Sequence, residues 1–378
     1  MCNEFYFNAV GQGLFYSGSL FGGAYNFVYD CGTDSSSEYL SGAIQDVCNN
    51  RLHGKKTIDF VMISHLHKDH FSGLSELMSN AHVKKVYLPY LGDGNDTLKK
   101  FLIAREVVFL PTEGSEENNY SNREALYYRV YNLYSGRQRE TEVEFIGQEP
   151  YKRNDENAIA YSKGAFYDSA EMRWCFSYFN MRASDAKLND LNAQIEAEME
   201  RNGVDKIEKL LFDPNGIDII QDIYKNVFGD GKQNLTSTVL VHYPLDIFTG
   251  LCFCNYDAPD YYPYPDGIYE NPCDKTVVTV LTGDAEFDDE MLATLADILE
   301  YTGLKILQVP HHGSSKNWKT LAYLRDNFNA YVASFGLGNK YHHPNTDVVT
   351  DVTLKYKRPL FISTQTTARM YVIYTSRR

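Results

Sequence analysis

Seven of the ten histidines in this chain stand in three short clusters, and each cluster lies at or close to the end of an apolar run. Imidazole and carboxylate groups are the side chains that bind Zn²⁺, or Mn²⁺ and iron where oxygen ligands are more numerous. The pattern therefore predicts a metal centre assembled from distant parts of the chain. The clusters are His65, His67 and His70; His311 and His312; and His342 and His343.

The segment HLHKDH places four metal-binding side chains within six residues, directly after the apolar run TIDFVMI. Residues two apart in an extended segment point to the same side, so His65 and His67 can hold one ion. Asp69 and His70 lie beyond the turn and can reach a second ion. A solvated loop is the alternative interpretation, but so many ligands after a buried strand favour metal binding.

The LTGD segment supplies a carboxylate that can lie between two ions, since Asp284 follows the apolar run TVVTVL. A carboxylate in that position can bridge two metal ions. The alternative role is a cap for the helix predicted to begin near Phe287. The histidine clusters favour the bridging role, and we count Asp69 and Asp284 among the candidate catalytic residues.

The segments VPHHGSS and KYHHPN each carry a pair of adjacent histidines. Adjacent side chains rarely face the same way, so one of His311 and His312 is expected to bind metal while the other meets substrate or solvent. Ser314 and Ser315 offer N–H and O–H donors for an oxyanion. Lys340, close to the second pair, is expected either beside a phosphate or in solvent.

The elements that must position these side chains follow from the apolar patterning. The run TIDFVMI is typical of one buried strand. Residues 184–202 carry apolar side chains at spacings of 3, 4 and 4, which predicts a helix. The runs PLFIST and ARMYVIYT predict a hairpin near the C-terminus. Strands flanked by helices favour an α/β sandwich, in which ligands gather at one edge of a sheet.

The domain organisation is expected to be simple. Residues 1–378 are predicted to form a single domain, within which residues 112–230 form an insertion or lid. The first part of that stretch is rich in tyrosine and mixed in charge, whereas its later part has helical patterning. We therefore expect the insertion to be largely helical.

Composition narrows the possible functions. The chain has 36 Lys and Arg against 50 Asp and Glu, a net charge of −14, which argues against coating nucleic acid by bulk electrostatics. Local capture of a phosphate by a metal stays compatible with that charge. No apolar run approaches the length of a membrane span, and the seven cysteines are scattered. We therefore expect a cytoplasmic protein without a membrane partner.

The ordered set HLHKDH, LTGD, VPHHGSS and NKYHHP resembles the metallo-β-lactamase-fold hydrolases. Within them it is similar to the hydrolase domain of the ComEC-type competence proteins, whose opening strands the segments VGQG and YDCG also match. The resemblance implies an α/β fold of the metallo-β-lactamase type, an αββα sandwich. The membrane channel of the ComEC proteins has no counterpart here, so a role in DNA transport does not carry over.

The resemblance also implies a role for each candidate residue. Asp284 would bridge the two ions, and Asp30 would hydrogen-bond to the ligands from behind. His343 would face the substrate as general acid or phosphate donor, or act as a further ligand. His311 is the alternative to His312 for the last metal-binding position, and otherwise a catalytic group. The implied ligands are His65 and His67 for the first metal, and Asp69, His70 and His312 for the second.

One position departs from the family. The superfamily usually supplies a histidine before the TGD strand, where this chain has NLTSTVL and offers Asn234 or Ser237. Asn234 is therefore a candidate substrate-binding residue together with Ser314, Ser315 and Lys340. His242 lies further along the strand and is the other substitute for the ligand, with packing in the core as the alternative.

These residues together predict a metal-dependent hydrolase with one or two divalent ions, Zn²⁺ or Mn²⁺. The expected substrate is a phosphodiester, in a nucleic acid or a nucleotide, attacked by a metal-activated water. A carboxylic ester, lactone or amide is the alternative substrate, because a metal-activated water serves either reaction. A binding module that keeps its metal for structure is the alternative outside enzymes.

Overall fold

The computed structural model describes residues 1–65, 67–89, 107–111, 127–132, 140–146, 167–169, 172–180, 185–203, 222–223, 226–227, 237–245, 247–255, 267–270, 276–300 and 302–376. These are called the described residues below. Asn234 lies outside them.

The described residues form twenty β-strands. They are β1 (Cys2–Phe7), β2 (Phe15–Leu20), β3 (Tyr25–Cys31), β4 (Thr57–Ile58), β5 (Phe60–Met62), β6 (His82–Val83), β7 (Lys85–Pro89), β8 (Val107–Pro111), β9 (Tyr127–Asn132), β10 (Glu140–Ile146), β11 (Tyr167–Ser169), β12 (Met172–Phe179), β13 (Val239–Pro244), β14 (Ile247–Asn255), β15 (Gly267–Glu270), β16 (Thr276–Leu281), β17 (Thr302–Gln308), β18 (Ala330–Ser334), β19 (Leu360–Ser363) and β20 (Arg369–Ser376).

The described helices are short except for two. They are α1 (Ser37–Asp46), α2 (Lys68–Phe71), α3 (Leu74–Asn80), α4 (Asp185–Arg201), α5 (Asp289–Glu300), α6 (Ser315–Thr320) and α7 (Thr346–Thr350), with a 3₁₀ turn at Pro310–Gly313 and another at Ala322–Asp326. Wider π-helical turns continue α1 and α7 at Val47–Arg51 and Asp351–Lys355.

Two sheets carry the fold. The first has the strand order β15-β14-β20-β1-β2-β3-β5-β7-β10-β9-β8, and the second has the order β11-β12-β13-β16-β17-β18-β19. Strands β3, β5 and β7 run parallel in the first sheet, as do β16, β17, β18 and β19 in the second. The carboxyl ends of parallel strands share one edge, which is where side chains from distant segments can meet.

A layer of aromatic side chains fills the space between the sheets. Strands of the first sheet contribute alternate residues such as Phe5, Tyr16 and Phe27, while Trp174 and Leu240 come from the second. Alternation follows from the pleat, since successive side chains point to opposite faces. This burial of apolar surface from both sheets is what holds the sandwich together.

Helices cover the outer faces. Helix α5 packs Leu295 and Leu299 against Val278 and Val280 of β16, in a second core on the far side of the second sheet. Helix α1 buries Leu40 and Ile44, and α3 buries Leu77, on the side of the first sheet. The prediction of an α/β sandwich with two central sheets and outer helices is thus confirmed.

Two local predictions need correction. The run TIDFVMI is not one strand, because it is divided at Asp59, whose carboxylate accepts the N–H of Asn26 at 2.8 Å and meets Lys84 at 2.7 Å. The predicted C-terminal hairpin is also wrong, since β19 belongs to the second sheet and β20 to the first. Strand β20 pairs instead with β1 and β14, which a hairpin with β19 would prevent.

The region 112–230 contains strands as well as a helix in its described residues. Strand β10 pairs with β7 of the first sheet, and β12 pairs with β13 of the second. The helix predicted over 184–202 is confirmed as α4. A largely helical insertion or lid stays a prediction, as does the single-domain organisation. In the described part of the chain, none of the helices has both the length and the apolar character to cross a membrane.

His242 lies in the aromatic layer between the sheets and is fully buried. Its Nε2 is 2.8 Å from the hydroxyl of Tyr16, which is 2.6 Å from the hydroxyl of Tyr371. Burial lowers the pKa of His242 to about 3, so the ring is neutral in the folded protein at pH 7. The packing interpretation of this residue is therefore confirmed, and His242 is no metal ligand.

The buried ring predicts a specific loss of stability in acid. Below a pH of about 6.5 the unfolded chain protonates His242 while the folded chain does not, until the pH approaches about 3. Over that window His242 lowers the free energy of unfolding by up to about 1.4 kcal/mol per pH unit. Urea unfolding of the protein and of His242→Phe should therefore show a steeper decline with acid in the unsubstituted protein. Parallel curves between pH 6 and pH 4 would contradict the assignment.

Candidate metal centre

Strand ends from both sheets converge on one edge of the sandwich. His65 follows β5, Asp284 follows β16 and His312 follows β17. Strands β16 and β17 are parallel neighbours, so the segments after them lie side by side. The backbone of Thr238, just before β13, donates to Ser64 O at 2.9 Å and so joins the two sheets at this edge.

The first ligand group consists of His65, His67 and Asp284, whose candidate ligand atoms all lie within 4.8 Å of one another. Nε2 of His65 is 3.8 Å from Oδ2 of Asp284. This nitrogen is buried and has no hydrogen-bond partner among the described residues. A buried nitrogen without a hydrogen-bond partner destabilises the folded protein unless a ligand binds to it.

The second ligand group consists of Asp69, His70, Asp284 and His312, again with ligand atoms within 4.8 Å of one another. Nε2 of His70 is 3.0 Å from Oδ1 of Asp284, and Nε2 of His312 is 3.2 Å from Oδ2 of Asp69. All six residues predicted as metal ligands therefore meet, and Asp284 belongs to both groups.

The two carboxylate oxygens of Asp284 face different histidines. Oδ1 lies 3.0 Å from His70 and 3.9 Å from His312, whereas Oδ2 lies 3.3 Å from His311 and 3.8 Å from His65. One oxygen thus points to each ligand group. His312 belongs to the second group, and His311 lies on the side of the first.

The charges in the centre are balanced by protons on histidine. Burial by itself would raise the pKa of the Asp284 carboxyl, but His311 and His70 outweigh it and hold that pKa well below its ordinary value. Burial would likewise raise the pKa of Asp69, which His70 and the hydrogen bond to His312 lower instead. Both carboxylates are therefore ionised at neutral pH.

Two imidazoles supply the opposite charge. Burial would lower the pKa of His70, but the carboxylates of Asp284, Asp69 and Asp30 raise it well above its ordinary value. The pKa of His312 is raised against burial by its hydrogen bond to Asp69 and by Asp284. A divalent ion would take over this charge balance by displacing the protons. The donor set of imidazoles and carboxylates fits Zn²⁺ or Mn²⁺.

Asp30 decides which nitrogen of His65 is available. Ser64 Oγ donates to Asp30 Oδ2 at 2.7 Å, so its lone pair accepts from Nδ1 of His65 at 3.0 Å. That leaves Nε2 of His65 with a lone pair aimed at Asp284. Burial lowers the pKa of His65 well below its ordinary value, as does the positive His70, so the ring stays neutral. Nδ1 of His70 is 2.8 Å from the same Asp30 oxygen.

A bulge in β3 explains how Asp30 reaches these groups. The register between β2 and β3 slips so that Phe15 and Tyr16 pair with Cys31 and Tyr29, which leaves Asp30 as an extra residue. Asp30 adopts a φ of 55°, a left-handed conformation that aspartate tolerates better than most residues. The bulge turns its carboxylate into the interior, where it also accepts the N–H of Ser64 at 2.6 Å.

The short helix α2 is docked by a close backbone approach. A Cβ atom at Gly32 would lie 2.4 Å from the nitrogen of His70 and 2.5 Å from the carbonyl carbon of Asp69. Only glycine fits there, which gives the glycine of the YDCG segment a physical role. The N–H of Leu14 holds the carbonyl of Asp69 at 3.0 Å from the other side.

The turn after β17 orients His311 and His312. Both adopt left-handed backbone conformations, with φ of 47° and 55°, which is strained for residues other than glycine. Gln308 ties the end of β17 to the segment that carries Asp284, because its Oε1 accepts the N–H groups of Thr282 and Gly283 at 2.7 and 2.8 Å, and the N–H of His311 donates to the carbonyl of Gly283 at 3.0 Å. His312 is fixed further through Nδ1, which lies 2.8 Å from the carbonyl of Ser334.

His311 is oriented by Asn317. The amide nitrogen of Asn317 donates to the carbonyl of Asp284 at 2.8 Å, so its oxygen accepts from Nδ1 of His311 at 3.0 Å. Nε2 of His311 then faces Oδ2 of Asp284 at 3.3 Å. Two groups that both carry lone pairs need a proton or a metal ion between them. His311 is therefore placed to complete the first ligand group.

His343 lies next to His311 at the edge of the centre, with ring centroids 5.6 Å apart. Its Nδ1 is buried and has no hydrogen-bond partner among the described residues. Burial, together with His311 and His312, lowers the pKa of His343 to about 4. At neutral pH the ring is neutral and retains one N–H to donate.

The predicted substrate-binding serines are engaged within the protein. Ser315 donates its hydroxyl to Asp347 at 2.5 Å and its N–H to Asn345 at 2.7 Å. The N–H of Ser314 donates to the carbonyl of His311 at 2.9 Å. These donors hold the turn and its neighbouring loop. Lys340 is exposed, as expected of either predicted role.

Ser237 supports Asp284. Its hydroxyl accepts the N–H of Asp284 at 3.1 Å, so it fixes the backbone of the residue shared by the two ligand groups. Gln308 and Asn317 were not found from the sequence. The one signal for Gln308 is a polar residue near the end of the apolar run LKILQVP, and Asn317 has none beyond its nearness to HHGSS.

The comparisons with known proteins match one part of the chain to a family. Residues 16–113 are similar to the metallo-beta-lactamase superfamily. The matched stretch contains Asp30 and the whole HLHKDH segment, and therefore all four candidate ligands from the first half of the chain. No curated protein matches the chain.

Several solved structures resemble the chain weakly. Among them is MEM-A1, a subclass B3 metallo-beta-lactamase isolated from a soil metagenome library, with 10% identity and a TM-score of 0.30 over 85% of this chain and 86% of that one. A likeness of this size says nothing about activity.

The hydrogen bonds of Asp30 predict its effect on metal affinity. Asp30→Asn keeps the shape and tolerates the left-handed backbone, but its NH2 group replaces one of the two oxygens that accept from the Ser64 N–H and from Ser64 Oγ with His70. Affinity for Zn²⁺ or Mn²⁺ should fall roughly 10- to 100-fold. Isothermal titration of the two proteins measures this.

Asp59→Asn is the matched control, because Asp59 also accepts a backbone N–H and meets a cationic side chain but lies outside both ligand groups. Its metal affinity should equal that of the unsubstituted protein. Equal affinities in the Asp30 and Asp59 variants would contradict the role of Asp30.

Proposed function

We propose that the protein is a metal-dependent phosphodiesterase that acts on a nucleic acid or a nucleotide. The observation that carries the proposal is the sharing of Asp284 between two ligand groups, one at each carboxylate oxygen. Paired metal sites of this kind are typical of phosphatases and nucleases. Similarity to the metallo-beta-lactamase superfamily over residues 16–113 supports a hydrolase.

Cationic side chains beside the centre support an anionic substrate. Lys68 stands between the ligands His67 and Asp69 and is exposed, with Nζ 3.9 Å from Asp34. Lys340 is exposed on the loop that carries His343. These lysines can bind phosphate oxygens while the rest of the surface is acidic, with a net charge of −14.

The residues of the centre would have different roles in hydrolysis. His65, His67 and His311 would hold one ion, Asp69, His70 and His312 the other, and Asp284 both. Ions bound there would lower the pKa of water and polarise the phosphorus–oxygen bond. Asp284 would orient the attacking water, and the neutral His343 would stabilise the leaving oxygen by a hydrogen bond from its N–H. The buried position of His65, His70 and Asp284 keeps bulk water from competing for these contacts.

A neutral carboxylic ester, lactone or amide is the second candidate substrate. The exposed carboxylate of Asp34 near Lys68 and the overall acidic charge favour a substrate with less negative charge. Metal-assisted attack on a carbonyl needs the same ligands. The two candidates therefore differ in the substrate pocket and are separated by activity measurements.

The proposal predicts cleavage of bis(p-nitrophenyl) phosphate by protein loaded with Zn²⁺ or Mn²⁺. Asp284→Asn should lower kcat by about 100-fold or more, since it removes the charge shared by both ligand groups. In chelator it should still unfold in one cooperative transition, because an amide fits the same space, but at a lower temperature, because His70 loses its charged partner. Release of p-nitrophenolate and thermal unfolding measure the two quantities.

Asp288→Asn is the control, since Asp288 accepts the N–H of Met291 outside the ligand groups and asparagine caps equally well. Cleavage of lactones without cleavage of the phosphodiester would favour the second candidate. Loss of folding in Asp284→Asn, with no hydrolysis by the unsubstituted protein, would favour a metal kept for structure.

A further inference from the structure

A row of aromatic rings leads from the metal centre to the surface. The ring of His311, whose Nε2 is 3.3 Å from Asp284, has its centroid 5.6 Å from that of His343. The ring of Tyr341 stacks on His343 at 5.7 Å with an angle of 25°. Tyr341 is 46% exposed, so the row ends in an aromatic side chain open to solvent.

The loop that carries this tyrosine, residues 336–345, is held by one asparagine. Oδ1 of Asn339 accepts the N–H groups of Tyr341 and His343 at 3.1 and 2.9 Å. Its amide nitrogen donates to the carbonyls of Gly336 and His343 at 2.8 and 2.7 Å. Four hydrogen bonds from one side chain fix Tyr341 relative to His343, so a ligand stacking there need not order the loop.

The end of the loop is docked onto the histidine turn. Asn345 donates its N–H to the carbonyl of Gly313 at 2.9 Å. Pro344 lies so close to Gly313 that a Cβ atom at this glycine would be 2.4 Å from the Cβ of Pro344. The position of Tyr341 is therefore tied to the same turn that orients His311 and His312.

Charge beside the ring favours a ligand with a phosphate. Nζ of Lys340 lies over the Tyr341 ring, 4.9 Å from its centre, and the lysine is exposed, so a planar ligand can displace it to the edge of the ring. A planar group on this ring would therefore lie next to a positive charge as well as next to His343. A ring joined to a phosphodiester matches this pairing, whereas a simple apolar ligand leaves the lysine without a role.

We propose that Tyr341 is the stacking platform for the base of a nucleotide unit whose phosphodiester is bound at the metal centre. The inference rests on the proposed phosphodiesterase function and narrows its substrate to nucleotides. Stacking on an aromatic side chain serves any base, so the platform gives affinity for the base without base specificity. The net charge of −14 favours a short nucleotide over a long duplex.

The test compares two phosphodiesters with the same leaving group, thymidine 5′-(p-nitrophenyl phosphate) and methyl p-nitrophenyl phosphate. The measured quantity is the ratio of their kcat/KM values, which isolates the contribution of the nucleoside. Tyr341→Ala should lower that ratio roughly 5- to 100-fold. Tyr341→Phe keeps the ring and should restore it.

Tyr323→Ala is the control, since Tyr323 is 62% exposed but lies in the turn Ala322–Asp326 away from the loop. Its ratio should equal that of the unsubstituted protein. The same ratio in Tyr341→Ala and the unsubstituted protein would overturn the proposal.

A binding measurement separates this inference from the proposed function. Fluorescence of 2-aminopurine deoxyribonucleoside 5′-monophosphate should be quenched by the metal-loaded protein and by Tyr341→Phe, but not by Tyr341→Ala. If neither p-nitrophenyl ester is cleaved, the phosphodiesterase function fails, while quenching that needs Tyr341 still supports the platform. Quenching of equal size in Tyr341→Ala contradicts it.

Discussion

Three aspartates at one sheet edge impose the constraint on which the centre depends. Asp30 and Asp284 are buried and Asp69 is partly buried, so their negative charge lies where little water can solvate it and must be paired. The imidazoles of His70 and His312 pair with it as cations, as both pKa values are raised. Metal ions would satisfy the same carboxylates, and the neutral His65 presents a lone pair that only an ion or a donor can use.

Strained and closely packed backbone places the charged side chains where they can pair. The β3 bulge turns Asp30 inward, and left-handed conformations at two adjacent residues direct His311 and His312 to different oxygens of Asp284. Such conformations cost free energy and persist where surrounding contacts hold them. Asn317 and the carbonyl of Gly283 hold His311, and the carbonyl of Ser334 holds His312. Side chains behind the ligands thus decide which nitrogen each histidine presents.

The side chains that meet at this edge could be predicted from the sequence, because imidazoles clustered directly after apolar runs are seldom needed for packing and are well suited to metal binding. The sequence also indicated the α/β sandwich and the helix α4, since both depend on apolar periodicity. The division of His311 and His312 between the two ligand groups was beyond prediction, because it depends on backbone conformations that no residue type there demands. The same holds for Asn317 and Ser237, whose partners are 33 and 47 residues away along the chain. The prediction of a C-terminal hairpin was wrong because the pairing of β20 with β1 leaves no signal in the sequence near β20.

Anomalous diffraction from crystals grown with Zn²⁺ or Mn²⁺ tests the central claim most directly. Two peaks are predicted, one on each side of Asp284: the first beside His65, His67 and His311, the second beside Asp69, His70 and His312. Each peak should lie next to a different carboxylate oxygen of Asp284. Crystals that bind metal elsewhere, with these side chains still joined only to one another, would contradict the account.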